Sequence, residues 1–169
     1  MSKGENGIDI MKFIADGMLG RLTRWLRLLG YDVMYLHDAS DDKLLALARK
    51  EGRILLTCDL VLYRKAEKLG INSFLIRGTG EPEKLANLVK KFNIRLEVDM
   101  SVSRCPVCNN PIEHVEKSSV IGRLHRNTSD AYDEYWECTG CSKIYWRGSH
   151  WKKINETLEK AKIIKEKLG

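Results

Sequence analysis

The sequence predicts an α/β fold in which helices cover both faces of a parallel sheet. Short apolar runs alternate with amphipathic stretches over the first hundred residues, and four such pairs follow one another. This alternation is typical of βα units. The composition, with 43% hydrophobic and 31% charged residues, is that of a globular protein.

Each element of this fold has its own signal in the sequence. We predict strands at residues 12–15, 32–36, 53–57 and 72–76, and helices at residues 18–29, 41–50, 60–69 and 82–92. Ser40 suits the N-cap of the second helix, and Gly30 suits the end of the first. Residues 93–98 could form one more strand, and residues 151–168 carry the apolar stripe of a last helix.

The composition along the chain divides it into four parts. Residues 1–10 are polar and are expected to form a flexible extension, residues 11–100 the α/β domain, residues 101–150 a cysteine-containing module, and residues 151–169 a basic helix. No apolar run approaches the ~20 residues of a membrane span, and the N-terminus has no apolar signal core. We therefore expect a cytoplasmic protein without a membrane partner.

Two Cys-x-x-Cys pairs are the most specific signal in the sequence. They are Cys105 with Cys108 and Cys138 with Cys141. Two such pairs provide the four thiolates of a tetrahedral Zn²⁺ site, whereas redox pairs and disulfides are the rival interpretations. A cytoplasmic location disfavours structural disulfides. The predicted zinc site is closed, so its role is structural, and the module is expected to be a zinc ribbon.

Acidic residues follow the first three predicted strands. Asp16 comes directly after the first, Asp38, Asp41 and Asp42 come after the second, and Asp59 comes after the third. Ligands of open parallel sheets bind beyond the carboxyl ends of the strands. Carboxylates gathered there would suit Mg²⁺ or Mn²⁺, which can support phosphodiester hydrolysis. The alternative is that these residues only cap the helices that follow.

Basic residues make an anionic partner plausible. The chain has 29 Lys and Arg against 23 Asp and Glu, a net charge of +6. The face of the first helix opposite its apolar side is predicted to carry Arg21, Arg24 and Arg27. These three residues, and Arg64 of the third helix, could hold a phosphate backbone. A solvated helix face is the alternative. The sequence contains no P-loop and no Gly-x-Gly-x-x-Gly or Gly-x-Ser-x-Gly motif, which argues against the nucleotide-binding and serine-hydrolase classes that these motifs mark.

Together these motifs resemble a known family. The first group comprises the run from Asp16 to Asp32 (DGMLGRLTRWLRLLGYD), Ser40-Asp41-Asp42 and the run from Arg53 to Asp59 (RILLTCD). The second comprises RCPVCN from Arg104, CTGCSKIYW from Cys138 and GSHW from Gly148. In these the chain resembles the Mut7-C RNase domain family, a branch of the PIN-like nucleases with a zinc ribbon.

The resemblance implies a PIN-like three-layer α/β/α sandwich and metal-dependent hydrolysis of RNA. It implies that Asp16, Asp41 and Asp59 are the catalytic acids, with Asp42 as the second candidate for the middle position. Typical PIN nucleases have a fourth acid soon after the third, and here residues 60–63 contain none. A second Mg²⁺ or Mn²⁺ ion would be poorly held, so a one-metal or a weak nuclease is expected, and the number of catalytic ions is left open.

The leading hypothesis is a metal-dependent endoribonuclease with a structural zinc ion and RNA as its substrate. The second is a non-catalytic RNA-binding or ribosome-associated zinc-ribbon protein, in which the acidic residues are caps. A toxin that needs an antitoxin-type protein partner ranks lower, because no segment for such a partner is evident. The sequence gives no indication of the oligomeric state.

Overall fold

A four-stranded parallel sheet forms the centre of the protein, as the alternating pattern predicts. Its strands are β1 (Lys12–Ala15), β2 (Asp32–Tyr35), β3 (Ile54–Thr57) and β4 (Ser73–Leu75), in the order β2-β1-β3-β4. In this computed structural model, residues 11–169 are described. The predicted extension at residues 1–10 lies outside the described residues.

Four helices alternate with these strands. They are α1 (Gly20–Leu28), which follows a 3-10 turn at Gly17–Leu19, and then α2 (Asp41–Glu51), α3 (Leu60–Lys68) and α4 (Glu81–Phe92). Ser40 caps α2 by accepting a hydrogen bond from the Lys43 amide at 3.3 Å, as predicted. Pro82 lies in the first turn of α4, where its missing amide proton leaves no partner unsatisfied.

The alternation of side chains along β1 separates two hydrophobic cores. Phe13 and Ala15 point to the face covered by α1 and α4, whereas Ile14 points to the face covered by α2 and α3. All three side chains are buried. A strand with both faces buried explains why β1 is almost entirely apolar, and the result is a three-layer α/β/α sandwich.

The fifth strand predicted at residues 93–98 is wrong. This segment has no regular secondary structure and pairs with no strand of the described chain. Ile94 and Leu96 are buried in the core beside α1, and the Arg95 amide donates instead to the Tyr31 hydroxyl at 3.0 Å. The alternating pattern therefore reflects burial of alternate residues in an irregular connection rather than membership of a sheet.

The cysteine-containing module forms a small three-stranded antiparallel sheet. Its strands are β5 (Ile112–Val115), β6 (Tyr135–Cys138) and β7 (Ile144–Tyr145), with α5 (Lys117–Val120) and α6 (Arg126–Ala131) between the first two. Met100, Ile112 and Trp136 form its small core together with two of the cysteines.

The last helix, α7 (His150–Lys167), returns from this module to the α/β sandwich. Leu158 and Ala161 are buried in the core that lies under α1 and α4, and α7 packs against α4. The division of the chain at residues 100 and 150 stays a prediction. Within residues 11–169, no helix is both long and apolar enough to cross a bilayer.

Candidate active site

Asp16 and Asp59 lie at the same edge of the central sheet, where adjacent strands end. Asp16 follows β1, Asp59 follows β3 after one residue, and Ala15 stands opposite Leu56 in the register of the two strands. The strand order reverses between β1 and β3, because the chain leaves β1 for β2 on one side and returns to β3 on the other. Such a reversal is where ligands of open α/β sheets bind.

Three hydrogen bonds fix the carboxylate of Asp16. One of its oxygens accepts from the Met18 amide at 2.9 Å, and the other accepts from the Thr57 hydroxyl and from the Cys58 amide at 3.3 Å. The residue is only 6% exposed. A carboxylate has about four acceptor positions, so one position remains for a ligand after these three bonds.

Thr57 connects the two acids. Its buried hydroxyl donates to Asp16 and accepts from the Asp59 amide at 2.9 Å. The Asp59 side chain caps α3, because one oxygen accepts from the amides of Val61 at 2.6 Å and Leu62 at 3.3 Å. Its second oxygen accepts no hydrogen bond from residues 11–169. Both acids are therefore caps, and each keeps acceptor capacity.

The acids of the second crossover lie in the exposed first turn of α2 or just before it. Asp42 forms an ion pair of 2.7 Å with Lys65 of α3, and the hydrogen bond from Lys65 lowers the pKa of Asp42. Asp41 is exposed and forms no ion pair within the described chain. Asp38 is almost fully exposed and lies 3.8 Å from His37. Among the described residues, Asp42 is therefore paired with a cation, whereas Asp41 is not.

The predicted catalytic acids do not converge as a close trio. Within residues 11–169, the four cysteines are the only group of three or more metal-ligating side chains whose ligand atoms all lie within 4.8 Å of one another. Asp16 and Asp59 nevertheless suit Mg²⁺ or Mn²⁺, because Mg²⁺ is usually held by one or two carboxylates with water and phosphate as the other ligands. The donor chemistry fits such an ion without requiring a protein-only cage.

Glu81 and Lys84, on the first turns of α4, were missed by the sequence analysis. Their side chains are 16% and 17% exposed and form an ion pair of 3.2 Å. The second oxygen of Glu81 is buried without a hydrogen-bond partner in the described structure. An acid in a helix first turn is easily explained by the helix dipole. The position of Glu81 after the fourth strand of the same sheet could have indicated that it lies at this edge.

These charges surround the half-buried thiol of Cys58. Burial raises the pKa of Cys58, the charges of Asp16 and Glu81 raise it further, and Lys84 acts in the opposite direction. These surroundings therefore favour the protonated thiol of Cys58 over the reactive thiolate. Cys58 is surrounded by two acids and a cation: Asp16, which follows β1, and Glu81 and Lys84 of α4.

The four predicted phosphate-binding arginines have different environments. Arg21 and Arg24 of α1 and Arg64 of α3 are exposed, as expected. Arg27 is 6% exposed, and its guanidinium donates to the carbonyls of Val33, Pro106 and Val107 at 2.8–3.1 Å. The prediction that Arg27 lies opposite the buried face of α1 is therefore wrong. Its charge instead holds the cysteine module against α1 and β2.

The four cysteines form a cluster with the dimensions of a zinc site. The sulfur atoms of Cys105 and Cys141 are 3.7 Å apart, and those of Cys108 and Cys138 are 3.3 Å apart. A tetrahedron with Zn–S bonds of about 2.3 Å places its sulfurs about 3.8 Å apart. The cluster therefore fits a tetrahedral metal ion such as zinc, with no open position for a substrate.

The surroundings of this cluster are suited to thiolates. The amides of Gly140 and Cys141 donate to the sulfur of Cys138 at 3.4 Å, and the Asn110 side chain donates to Cys108 at 3.4 Å. The bond from Asn110 lowers the pKa of Cys108 to about 6, whereas burial raises that of Cys138 to about 12. A bound metal must therefore displace protons from part of the cluster.

Comparisons with known proteins identify a family and a relative of this chain. The Exonuclease mut-7 homolog of Homo sapiens is 34% identical over 101 residues, which are 58% of this chain and 12% of the human protein. This chain thus spans a small part of that relative. No solved structure matches. The sequence pattern described as the Mut7-C RNAse domain matches residues 11–158 and supports a nuclease function. The protein therefore belongs to the Mut7-C RNase domain family.

Proposed function

We propose that the protein is a metal-dependent ribonuclease that hydrolyses phosphodiester bonds of RNA at the carboxyl edge of its sheet. The observation that carries this proposal is the buried carboxylate of Asp16, fixed beside the reversal of strand order with Asp59 on the adjacent strand. Membership of an RNase domain family and the name of the human relative, an exonuclease, support the same chemistry.

Asp16 and Asp59 would hold a Mg²⁺ or Mn²⁺ ion, and Asp41 is the proposed middle acid. Asp42, its alternative, is already paired with Lys65. The ion, when bound, activates water and stabilises negative charge on the phosphate. The hydrogen bonds from Thr57 and the two amides orient Asp16 before the substrate arrives, so that no reorganisation is needed there.

Positive charges beside the acids would position the RNA. Lys84 lies at the same edge, and Arg21, Arg24 and Arg64 are exposed on α1 and α3. Each can donate charge-assisted hydrogen bonds to phosphate oxygens. Arg27 has no part in this proposal, because its donors are occupied by backbone carbonyls.

The test compares cleavage of single-stranded RNA by the wild type and by Asp16→Asn, with Mg²⁺ or Mn²⁺ added. We expect the variant to lose at least about 100-fold in rate, a loss typical for removal of one catalytic group. Asp59→Asn should also lose activity while keeping the cap of α3, since Asn is as good an N-cap as Asp. Asp130→Asn removes an exposed carboxylate in α6 and serves as the control. Equal cleavage by wild type and Asp16→Asn would refute the catalytic proposal.

Circular RNA separates the two modes of cleavage. We propose endonucleolytic cleavage, whereas the human relative is named an exonuclease. An endonuclease opens a circular single-stranded RNA, and an exonuclease cannot begin on it. Cleavage confined to linear RNA would therefore favour the exonuclease and reject the endonucleolytic mode. The same assay with Asp41→Asn and Asp42→Asn tests which of them is the middle acid, and we expect the larger loss for Asp41→Asn.

One observation favours a second candidate, a non-catalytic RNA-binding or ribosome-associated protein. Asp16 and Asp59 both cap the helical turns that follow them, and the acids do not form a close trio. In this case RNA binding would depend on salt and would survive the change of Asp16, Asp41 and Asp59 to asparagine. An RNA that binds the triple variant as tightly as the wild type but is cleaved by neither would support this alternative.

A further inference from the structure

An open groove of about 410 Å³ separates α1 from the first Cys-x-x-Cys loop of the cysteine module. Its lining includes Gly20, Arg21 and Arg24 of α1, Tyr35 at the end of β2, and Val107 of the loop. The volume is within the range of about 300–1,000 Å³ found for small-ligand pockets. The groove therefore has room for part of an extended chain molecule.

The loop that forms one wall is fixed to the α/β sandwich. The guanidinium of Arg27 donates to the carbonyls of Pro106 at 3.0 Å and Val107 at 3.1 Å. Asn109, at the end of the same loop, accepts from the Val33 amide at 3.1 Å and donates to Asp32 at 2.8 Å. The groove thus exists before any ligand binds, and its two walls come from parts of the chain that are about 80 residues apart.

The lining combines free positive charge with apolar and aromatic surface. Arg21 and Arg24 are exposed, and neither forms an ion pair with another residue of the described chain. Val107 is 56% exposed although it is apolar, and Tyr35 adds an aromatic ring to the lining. Cations that neutralise phosphates beside surfaces that pack against bases are the features of single-strand binding sites.

The groove leads to the acidic edge of the sheet. The Tyr35 hydroxyl donates to the carbonyl of Gly17 at 2.9 Å, and Gly17 directly follows Asp16. From Gly20 to Arg27, a distance of seven residue steps, the helix rises by about 10 Å. This length corresponds to about three phosphates at 3.4 Å per nucleotide of a stacked strand.

We propose that this groove is the track for the single-stranded RNA on one side of the scissile bond. Phosphates bind Arg21 and Arg24, and a base or ribose packs against Tyr35 and Val107. The inference rests on the proposed ribonuclease function and adds to it a role for the cysteine module, whose first loop forms a wall of the substrate site. Single strands bind better than duplexes, because only an unpaired strand exposes the faces of its bases.

The test measures binding of a fluorescent single-stranded RNA to zinc-loaded protein without added Mg²⁺ or Mn²⁺. The double variant R21Q/R24Q should bind about tenfold more weakly, and its salt dependence should fall by about 1.4 in logarithmic slope, or about 0.7 for each lost phosphate contact. The control K152Q/K153Q removes the same charge from exposed positions of α7 and should bind like the wild type. Equal losses in the two double variants would overturn the proposal.

A second pair of variants tests the wall from the cysteine module. Val107→Glu places a negative charge in the groove and should weaken binding of single-stranded RNA, whereas Val102→Glu, at a position of nearly equal exposure (55%), should not. Thermal unfolding of each variant checks that the fold is kept. Unchanged binding by Val107→Glu, or duplex RNA bound as tightly as single strands by the wild type, would also overturn the proposal.

These results separate the two proposals. If the wild type cleaves RNA and the groove variants bind as it does, the ribonuclease proposal stands and the track is wrong. If the wild type neither binds nor cleaves RNA, both are wrong. If R21Q/R24Q and Val107→Glu bind weakly but Asp16→Asn cleaves like the wild type, the track stands as an RNA-binding surface and the catalytic assignment fails.

Discussion

At the scale of single residues, Asp16 shows that capping and ligand binding need not exclude each other. A carboxylate that caps a helix at the surface can remain exposed, as that of Asp59 does. Asp16 is buried and receives hydrogen bonds from two separate segments of the chain. Its position after an apolar strand was predictable from the sequence. Its partner Thr57 was not, because the pairing of β1 with β3 is a long-range contact.

Thr57→Val should destabilise the protein although the change is nearly isosteric. The variant leaves the carboxylate of Asp16 and the amide of Asp59 without their shared partner, a loss of about 1–3 kcal/mol in the free energy of unfolding. Urea denaturation measures this loss. Thr57→Ser keeps the hydroxyl and should lose less than Thr57→Val. An equal loss in both variants would contradict this prediction, because it would show that the methyl group contributes as much to stability as the hydroxyl.

Asp32 should make stability depend on pH in the acid range. Burial raises its pKa, but hydrogen bonds from Arg53 and Asn109 outweigh this effect, so the pKa in the folded state lies below the ordinary value of 3.8. The stabilisation is therefore present above about pH 4 and is lost as the pH falls through the folded-state pKa. Asp32→Asn should be less stable than the wild type at pH 7, and the difference should narrow towards pH 2. A difference that stays constant over this range, measured by urea denaturation, would contradict this.

At the scale of elements, α1 shows why a row of like charges misleads. Arg21, Arg24 and Arg27 recur every third residue, but three residues of α-helix turn by about 300°. Each step therefore shifts the side chain by about 60° around the axis, and the third arginine faces a different neighbour from the first. The α-helical period itself could have revealed this drift. The carbonyls that accept from Arg27 could not be foreseen, because two of them belong to a loop far along the chain.

Arg27→Ala should weaken the attachment of the cysteine module. The change removes charge-assisted hydrogen bonds to three carbonyls and leaves a buried gap, so we expect a loss of about 2–4 kcal/mol in the free energy of unfolding. Arg24→Ala, on the exposed side of the same helix, should change it by less than about 0.5 kcal/mol. Chemical denaturation of both variants provides the comparison. Similar small effects in both would show that Arg27 does not hold the module.

The segment at residues 93–98 marks a limit of reasoning from hydrophobic periodicity. Alternating burial of Ile94 and Leu96 produces the pattern of a strand, but a strand also needs a neighbour with free hydrogen-bonding groups. The four βα units were predictable because each carries local signals, such as Ser40 before α2. The strand order β2-β1-β3-β4 depends on contacts that local patterns do not encode. This order places Asp16 and Asp59 after adjacent strands.

At the scale of the whole molecule, the order of elements along the chain places the cysteine module between two helices of the α/β core. Residues 93–149 lie between α4 and α7, and these two helices pack against each other. A metal ion at the four cysteines therefore shortens the effective connection between α4 and α7. If the module unfolds, docking of α7 must close a long flexible loop, which is entropically unfavourable.

Removal of the metal from the cysteine cluster should consequently loosen α7 as well as the module. The module's core contains Cys105 and Cys138 and only a few apolar side chains, too few to keep it folded without the metal. The core between the sheet, α2 and α3 contains no cysteine. Hydrogen exchange with and without a zinc chelator should show lost protection in β5, β6 and α7, with protection kept in α2 and α3. Cys105→Ser should reproduce this pattern without a chelator, whereas Cys58→Ser, which leaves the cluster intact, should not. Equal loss in α2 and α7 would mean that the molecule unfolds as one unit and that the ion supports the sandwich directly.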